Sequence, residues 1–184
     1  MAVESTMLPL GTPAPHFELT DTVSGDVVSL ETLPGKAVVV MFICNHCPYV
    51  KAVLDRLLRD TAELAELGVA SVAIMSNDFS RYPQDGPEPM ARLAEEKRFP
   101  FPYLLDESQA VARAYGAVCT PDFFGYDADL GLQYRGRIDA GGIQSPPADA
   151  PRELFDAMVR VARTGRGPTD QVPSIGCSIK WRQA

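Results

Sequence analysis

The chain has 184 residues, of which 46% are hydrophobic and 22% charged, a composition that suits one core of ordinary size and leaves no apolar run of the roughly 20 residues a membrane crossing needs. Its net charge of -7 with a pI of about 4.8, and the scatter of its 17 Lys and Arg, exclude the clustered cations of a nucleic-acid surface. Neither nucleic acid nor a membrane is expected as a partner, and no cofactor is called for.

No repeat or low-complexity tract divides the sequence, so 1–184 is read as a single domain with a proline-containing lead-in at 1–15 and a C-terminal tail at 166–184. The first residues lack a basic stretch followed by an apolar block, so no secretory leader is expected and the chain is read as cytoplasmic. Phe17 and Leu19, then Val27, Val28 and Leu30, flank the Ser24-Gly25-Asp26 turn and predict a hairpin. The run 37–43 is apolar throughout and of strand length, the pattern of a central strand buried on both faces. It ends at Cys44.

Apolar positions at 50, 53, 54, 57, 58, 61, 64 and 65 fall on one helical face, predicting a helix over 48–67 that stops at Gly68. A second apolar strand is expected at 69–75, then a long polar loop over 76–89 and a helix over 90–98. Residues 101–105 predict a strand and 108–115 a short helix. A hairpin follows from 122–126 and 132–138, and a last helix over 151–163 has Pro151 at its start and Gly165 past its end. Strands alternating with helices, then an antiparallel pair, predict an α/β fold with a mixed central sheet covered on both faces.

Four cysteines are too few for a disulfide scaffold, so they are expected to do chemistry, bind metal or pack. Cys44-Asn45-His46-Cys47 joins a strand to a helix, and two cysteines at this spacing can close and reopen a disulfide with little backbone movement. Cys44 is expected near the helix N-cap, where free amides favour a thiolate; this makes it the nucleophile, with Cys47 deeper and resolving. His46 between them can carry charge and tune the pair. A zinc ribbon would need a second close pair, whereas Cys119 and Cys177 are isolated.

With these elements in place, Met41-Phe-Ile-Cys-Asn-His-Cys-Pro-Tyr-Val-Lys51 resembles the active site of the thioredoxin superfamily. It is most similar to the peroxiredoxin-like or redoxin branch, which includes the alkyl hydroperoxide reductase and thiol-specific antioxidant proteins. Gly11-Thr-Pro-Ala-Pro-His-Phe-Glu-Leu-Thr-Asp21 resembles the first strand of that branch, and Val118-Cys-Thr-Pro-Asp-Phe-Phe124 resembles its cis-proline loop. Ser76-Asn77-Asp78, Tyr82-Pro83 and Ile175-Gly-Cys-Ser-Ile-Lys-Trp181 match it as well. The resemblance implies a thioredoxin-like fold with an N-terminal hairpin extension, a cis Thr120–Pro121 bond, and Thr120 and Pro121 as substrate-binding residues. It also implies thiols or disulfides of proteins or small molecules as partners, with a thioredoxin or glutathione system as reductant.

The sequence also departs from the pattern. Thioredoxins place a buried Asp six residues before the first cysteine, where this chain has Val38, so no base for Cys47 is identified. Peroxiredoxins place Thr or Ser three residues before the reactive cysteine and Pro four earlier. Counting from Cys47 gives Cys44 and Val40, counting from Cys44 gives Met41 and Ala37, and 119–127 holds no Arg. Thiol-disulfide exchange is therefore the leading activity, a thiol peroxidase the alternative. A copper carrier of the same fold comes last, since His16 and His46 are the only histidines and neither follows the motif. Cys119 is read as buried or within reach of the pair, and Cys177 as an additional redox thiol or a tail anchor.

Overall fold

The structure is a computed structural model and describes residues 1–183. In chain order the elements are β1 (Ala2–Glu4), β2 (Glu18–Asp21), β3 (Val27–Ser29), β4 (Ala37–Phe42), α1 (Pro48–Glu66), β5 (Val69–Met75), α2 (Pro87–Glu96), β6 (Tyr103–Leu105), α3 (Ala110–Tyr115), β7 (Cys119–Thr120), β8 (Asp122–Asp127), β9 (Leu132–Gly136), α4 (Glu153–Thr164) and β10 (Ile175–Ser178). Seven strands form one mixed sheet in the order β3-β2-β6-β5-β4-β8-β9, parallel across β4, β5 and β6 and antiparallel elsewhere.

Every residue of β4 is buried, because both faces of the sheet are covered and an alternating strand would place polar groups in a core. Val39, Met41 and Ile43 face Leu57 and Leu64 of α1 and Leu154 and Met158 of α4. Val38, Val40 and Phe42 face Ala112 and Tyr115 of α3 and the N-terminal Phe17. The Ile43 amide still bonds to Ile74 at 3.1 Å, so the sheet registers the chain up to the first cysteine. Among the described residues no helix is long and apolar enough to cross a membrane.

The expected strands and helices form, with differences at the edges. α2 begins at Pro87, three residues earlier than its apolar spacing predicts, because proline's missing amide costs nothing in a first turn. The lead-in and tail each carry a strand instead of remaining irregular: β1 and β10 pair antiparallel, and β10 pairs with β7 in a second sheet ordered β1-β10-β7. Ala-Val-Glu and Ile-Gly-Cys-Ser are too short and too mixed to announce strands. They are extended because they supply each other's backbone partners.

The Thr120–Pro121 peptide bond is cis. Asp122, directly after it, is fully buried against Arg135 of β9, which makes a two-pronged ion pair with it and lies over the Phe124 ring at 3.9 Å. Arg135→Met should destabilise the protein by about 3–5 kcal/mol in chemical denaturation, since it strands a buried carboxylate. Replacing Asp122 by Leu in the same chain should recover most of that loss.

Candidate active site

The chain leaves β4 at Phe42, turns through Asn45 and His46, and enters α1 at Pro48, whose missing amide suits the first helical position. The helix N-cap is Cys47. The expectation that Cys44 occupies the helix start is corrected here: Pro48 fixes the first turn, so Cys44 lies three residues upstream in the connecting loop. Both are buried, at 1% and 0% exposure, so Cys47 is not distinctly the deeper. All four cysteines are thiols.

Cys44 lines a groove of about 260 Å³ with Asn45, Val50, Lys51, Leu93 and Lys97. Its Sγ is 3.4 Å from the Thr120 hydroxyl, and Cys47 Sγ is 3.1 Å from the Thr120 carbonyl oxygen. The loop before the cis proline therefore touches both sulfurs.

The pair shares one proton unequally. Cys44 is raised far above the usual thiol range by its hydrogen-bond interaction with Cys47, then by burial, then by the nearby Asp85 carboxylate. Cys47 is pushed down to about 4, first by the interaction with Cys44, against the opposing effect of burial, then by the Cys177 thiol. The first-turn amide of Val50 adds to this without forming a capping hydrogen bond. The Thr120 carbonyl acts the other way, since it accepts a proton from Cys47 and repels its anion. The directions of the two shifts make Cys47 the more acidic thiol of the pair.

His46 is held by Asp85 and Tyr82. Its Nδ1 is 2.5 Å from Asp85 Oδ2, and its ring stacks on Tyr82 with centroids 5.3 Å apart. Asp85 is fully buried and collects the loop: its Oδ1 accepts from the Asn45 amide at 2.8 Å and the His46 amide at 3.3 Å, and its Oδ2 from Asn77 Nδ2 at 2.9 Å. Tyr103, also buried, donates its hydroxyl to Asn45 Oδ1 at 3.1 Å. Donor atoms of Cys44, His46 and Asp85 lie within 4.8 Å of one another. The 2.5 Å separation of His46 and Asp85 is that of a hydrogen bond, whereas two ligands about 2.1 Å from one tetrahedral ion would stand about 3.4 Å apart.

Asp85, Asn77, Tyr82 and Tyr103 escape the sequence reading as site residues. The signal for the first three was a loop over 76–89 longer than its connection requires. Cys119 is fully buried and its thiol is held high by burial, as a packing residue would be. Cys177, by contrast, is half-buried and interacts with Cys47. Asp85→Ala should cost about 3 kcal/mol in urea denaturation, because four donors, that of Asn77 buried and the others half-buried, lose a charged acceptor; Asp85→Asn should cost less, since its carbonyl oxygen can still accept from the loop amides.

The model of the AhpC/TSA family matches residues 10–138. An uncharacterized conserved protein from Geobacillus kaustophilus is 49% identical over 100% of this chain and 98% of that one, with a TM-score of 0.91. A hypothetical protein from Sinorhizobium meliloti is 39% identical over 98% of this chain and 99% of its own, with a TM-score of 0.88. The thioredoxin domain of a thiol-disulfide oxidoreductase from Bacteroides vulgatus shares the fold at 22% identity, covering 71% of this chain and 91% of that one, with a TM-score of 0.58. No curated protein matches the chain.

Proposed function

We propose that this chain, which belongs to the AhpC/TSA family, exchanges dithiol for disulfide through Cys44 and Cys47, acting on thiols or disulfides of proteins or small molecules. The observation that carries this reading is a pair of thiols at the mouth of α1 that both touch Thr120 beside the cis proline, with Cys44 lining a groove.

In the oxidised form, a substrate thiolate entering the groove attacks Cys44 Sγ. The Cys44–Cys47 bond breaks and Cys47 leaves with the electron pair, quickly because a low-pKa thiolate is a good leaving group. A second substrate thiolate then attacks the substrate sulfur of the mixed disulfide, and Cys44 departs and takes up a proton. One protein disulfide is reduced and one substrate dithiol oxidised. Run in reverse, Cys44 captures a substrate disulfide and Cys47 resolves it, after which a thioredoxin or glutathione system would regenerate the dithiol. Stabilising the Cys47 anion stabilises the reduced form, so the pair is biased toward oxidising substrate dithiols.

The same anion supports a second reading, hydroperoxide reduction. Cys47 thiolate would displace an alcohol from the peroxide to give a sulfenic acid, and Cys44 would condense with it, releasing water and closing the disulfide. The lack of the peroxiredoxin Thr or Ser and Pro at their spacing before either cysteine weighs against this as the main activity.

Titration in graded glutathione buffers, with thiol alkylation mapped by mass spectrometry, should show a reversible Cys44–Cys47 bond; two thiols that stay alkylatable across the whole range would overturn the reading. Rapid hydroperoxide loss with a sulfenic acid on Cys47 would select the second reading. Ultraviolet thiolate absorbance of the reduced protein should persist below neutral pH and fade only as pH approaches about 4, where Cys47 regains its proton. Cys47→Ser should abolish that low-pH absorbance.

A further inference from the structure

β10 sets Cys177 directly opposite Thr120, the residue whose carbonyl oxygen stands 3.1 Å from Cys47 Sγ. Cys177 packs against the cluster that contains both Cys44 and Cys47, and its thiol interacts with that of Cys47. It is the one cysteine of the four that is not fully buried.

This position is held from several directions. On its far side β10 pairs with β1. Before it, Ser5 and Ser174 bond reciprocally, backbone amide to carbonyl at 2.9 Å and amide to hydroxyl at 3.0 Å. After it, the Lys180 amide donates to Asn77 Oδ1 at 2.9 Å, and Asn77 in turn holds Asp85. Gly176 approaches so closely that a Cβ there would lie 2.0 Å from the Thr120 oxygen. Cys47 therefore sits between two sulfurs, Cys44 in the groove and Cys177 on a half-exposed strand.

We propose that Cys177 is a third redox thiol, exchanging into the Cys44–Cys47 disulfide to give a Cys47–Cys177 disulfide. The proposal rests on the thiol-disulfide reading above and extends it. Cys177 loses its proton and its thiolate attacks Cys47 Sγ; the Cys44–Cys47 bond breaks, and Cys44 leaves with the electron pair and takes up a proton. One disulfide and one thiol stand on each side, so no outside oxidant or reductant is consumed. The exchange carries the disulfide from the groove to the surface strand, where a thiol too bulky for the groove can reach it at Cys177. The same strand occupies the edge of β7 at Thr120, so an extended peptide cannot add there while β10 is in place.

The test is peptide mapping of the full chain without reduction, after equilibration in graded glutathione buffers. Wild type should give a Cys47–Cys177 cross-linked peptide beside the Cys44–Cys47 one. In Cys44→Ser, Cys47–Cys177 should become the intramolecular disulfide. In Gly176→Ala, with folding checked by circular dichroism, the cross-link should be lost although both thiols remain. A reversible Cys44–Cys47 bond with no Cys47–Cys177 peptide in wild type or in Cys44→Ser would overturn this inference alone. Absence of both disulfides would overturn the exchange reading with it.

Discussion

A single buried carboxylate organises the site. The turn between β4 and α1 has backbone amides at Asn45 and His46 that the sheet has released and the helix has not yet captured, and Asp85 accepts from both. It also takes the His46 ring and the Asn77 side chain, so one side chain from the loop before α2 fixes the segment that presents the sulfurs. A group left without these bonds in a dry interior would carry the full cost of its desolvation. The loop's conformation is thus set by how its polar groups are satisfied.

That arrangement also decides where charge can reside. A carboxylate near Cys44 disfavours an anion there, while Cys47, farther along at the helix cap, is made more acidic by the thiols around it. The familiar expectation that the first cysteine carries the charge assumes a helix beginning at that cysteine. Pro48 moves the helix start to the second, and the electrostatics follow.

The two ends of the chain form the other half of the site. β1, β10 and β7 build a small sheet beside the main one, joining a lead-in to a tail more than 170 positions away and bringing Cys177 to Cys47. Asn77 links this sheet to the loop, since it accepts from Lys180 after β10 and donates to Asp85. The segments with the weakest sequence signals are therefore tied to the residues that carry the chemistry.

The central strands, the helices and the Cys44-Asn45-His46-Cys47 turn can be read along the chain, because they rest on local periodicity: an apolar run for a strand covered on both faces, helical spacing for α1, proline and glycine at the helix ends. Long-range packing is what sets Asp85 under the turn, turns His46 to it, makes Cys47 the more acidic thiol and brings Cys177 beside the pair. Each of these depends on contacts between residues tens of positions apart, where hydrogen bonding and burial act through space and leave no periodic trace in the order of the chain.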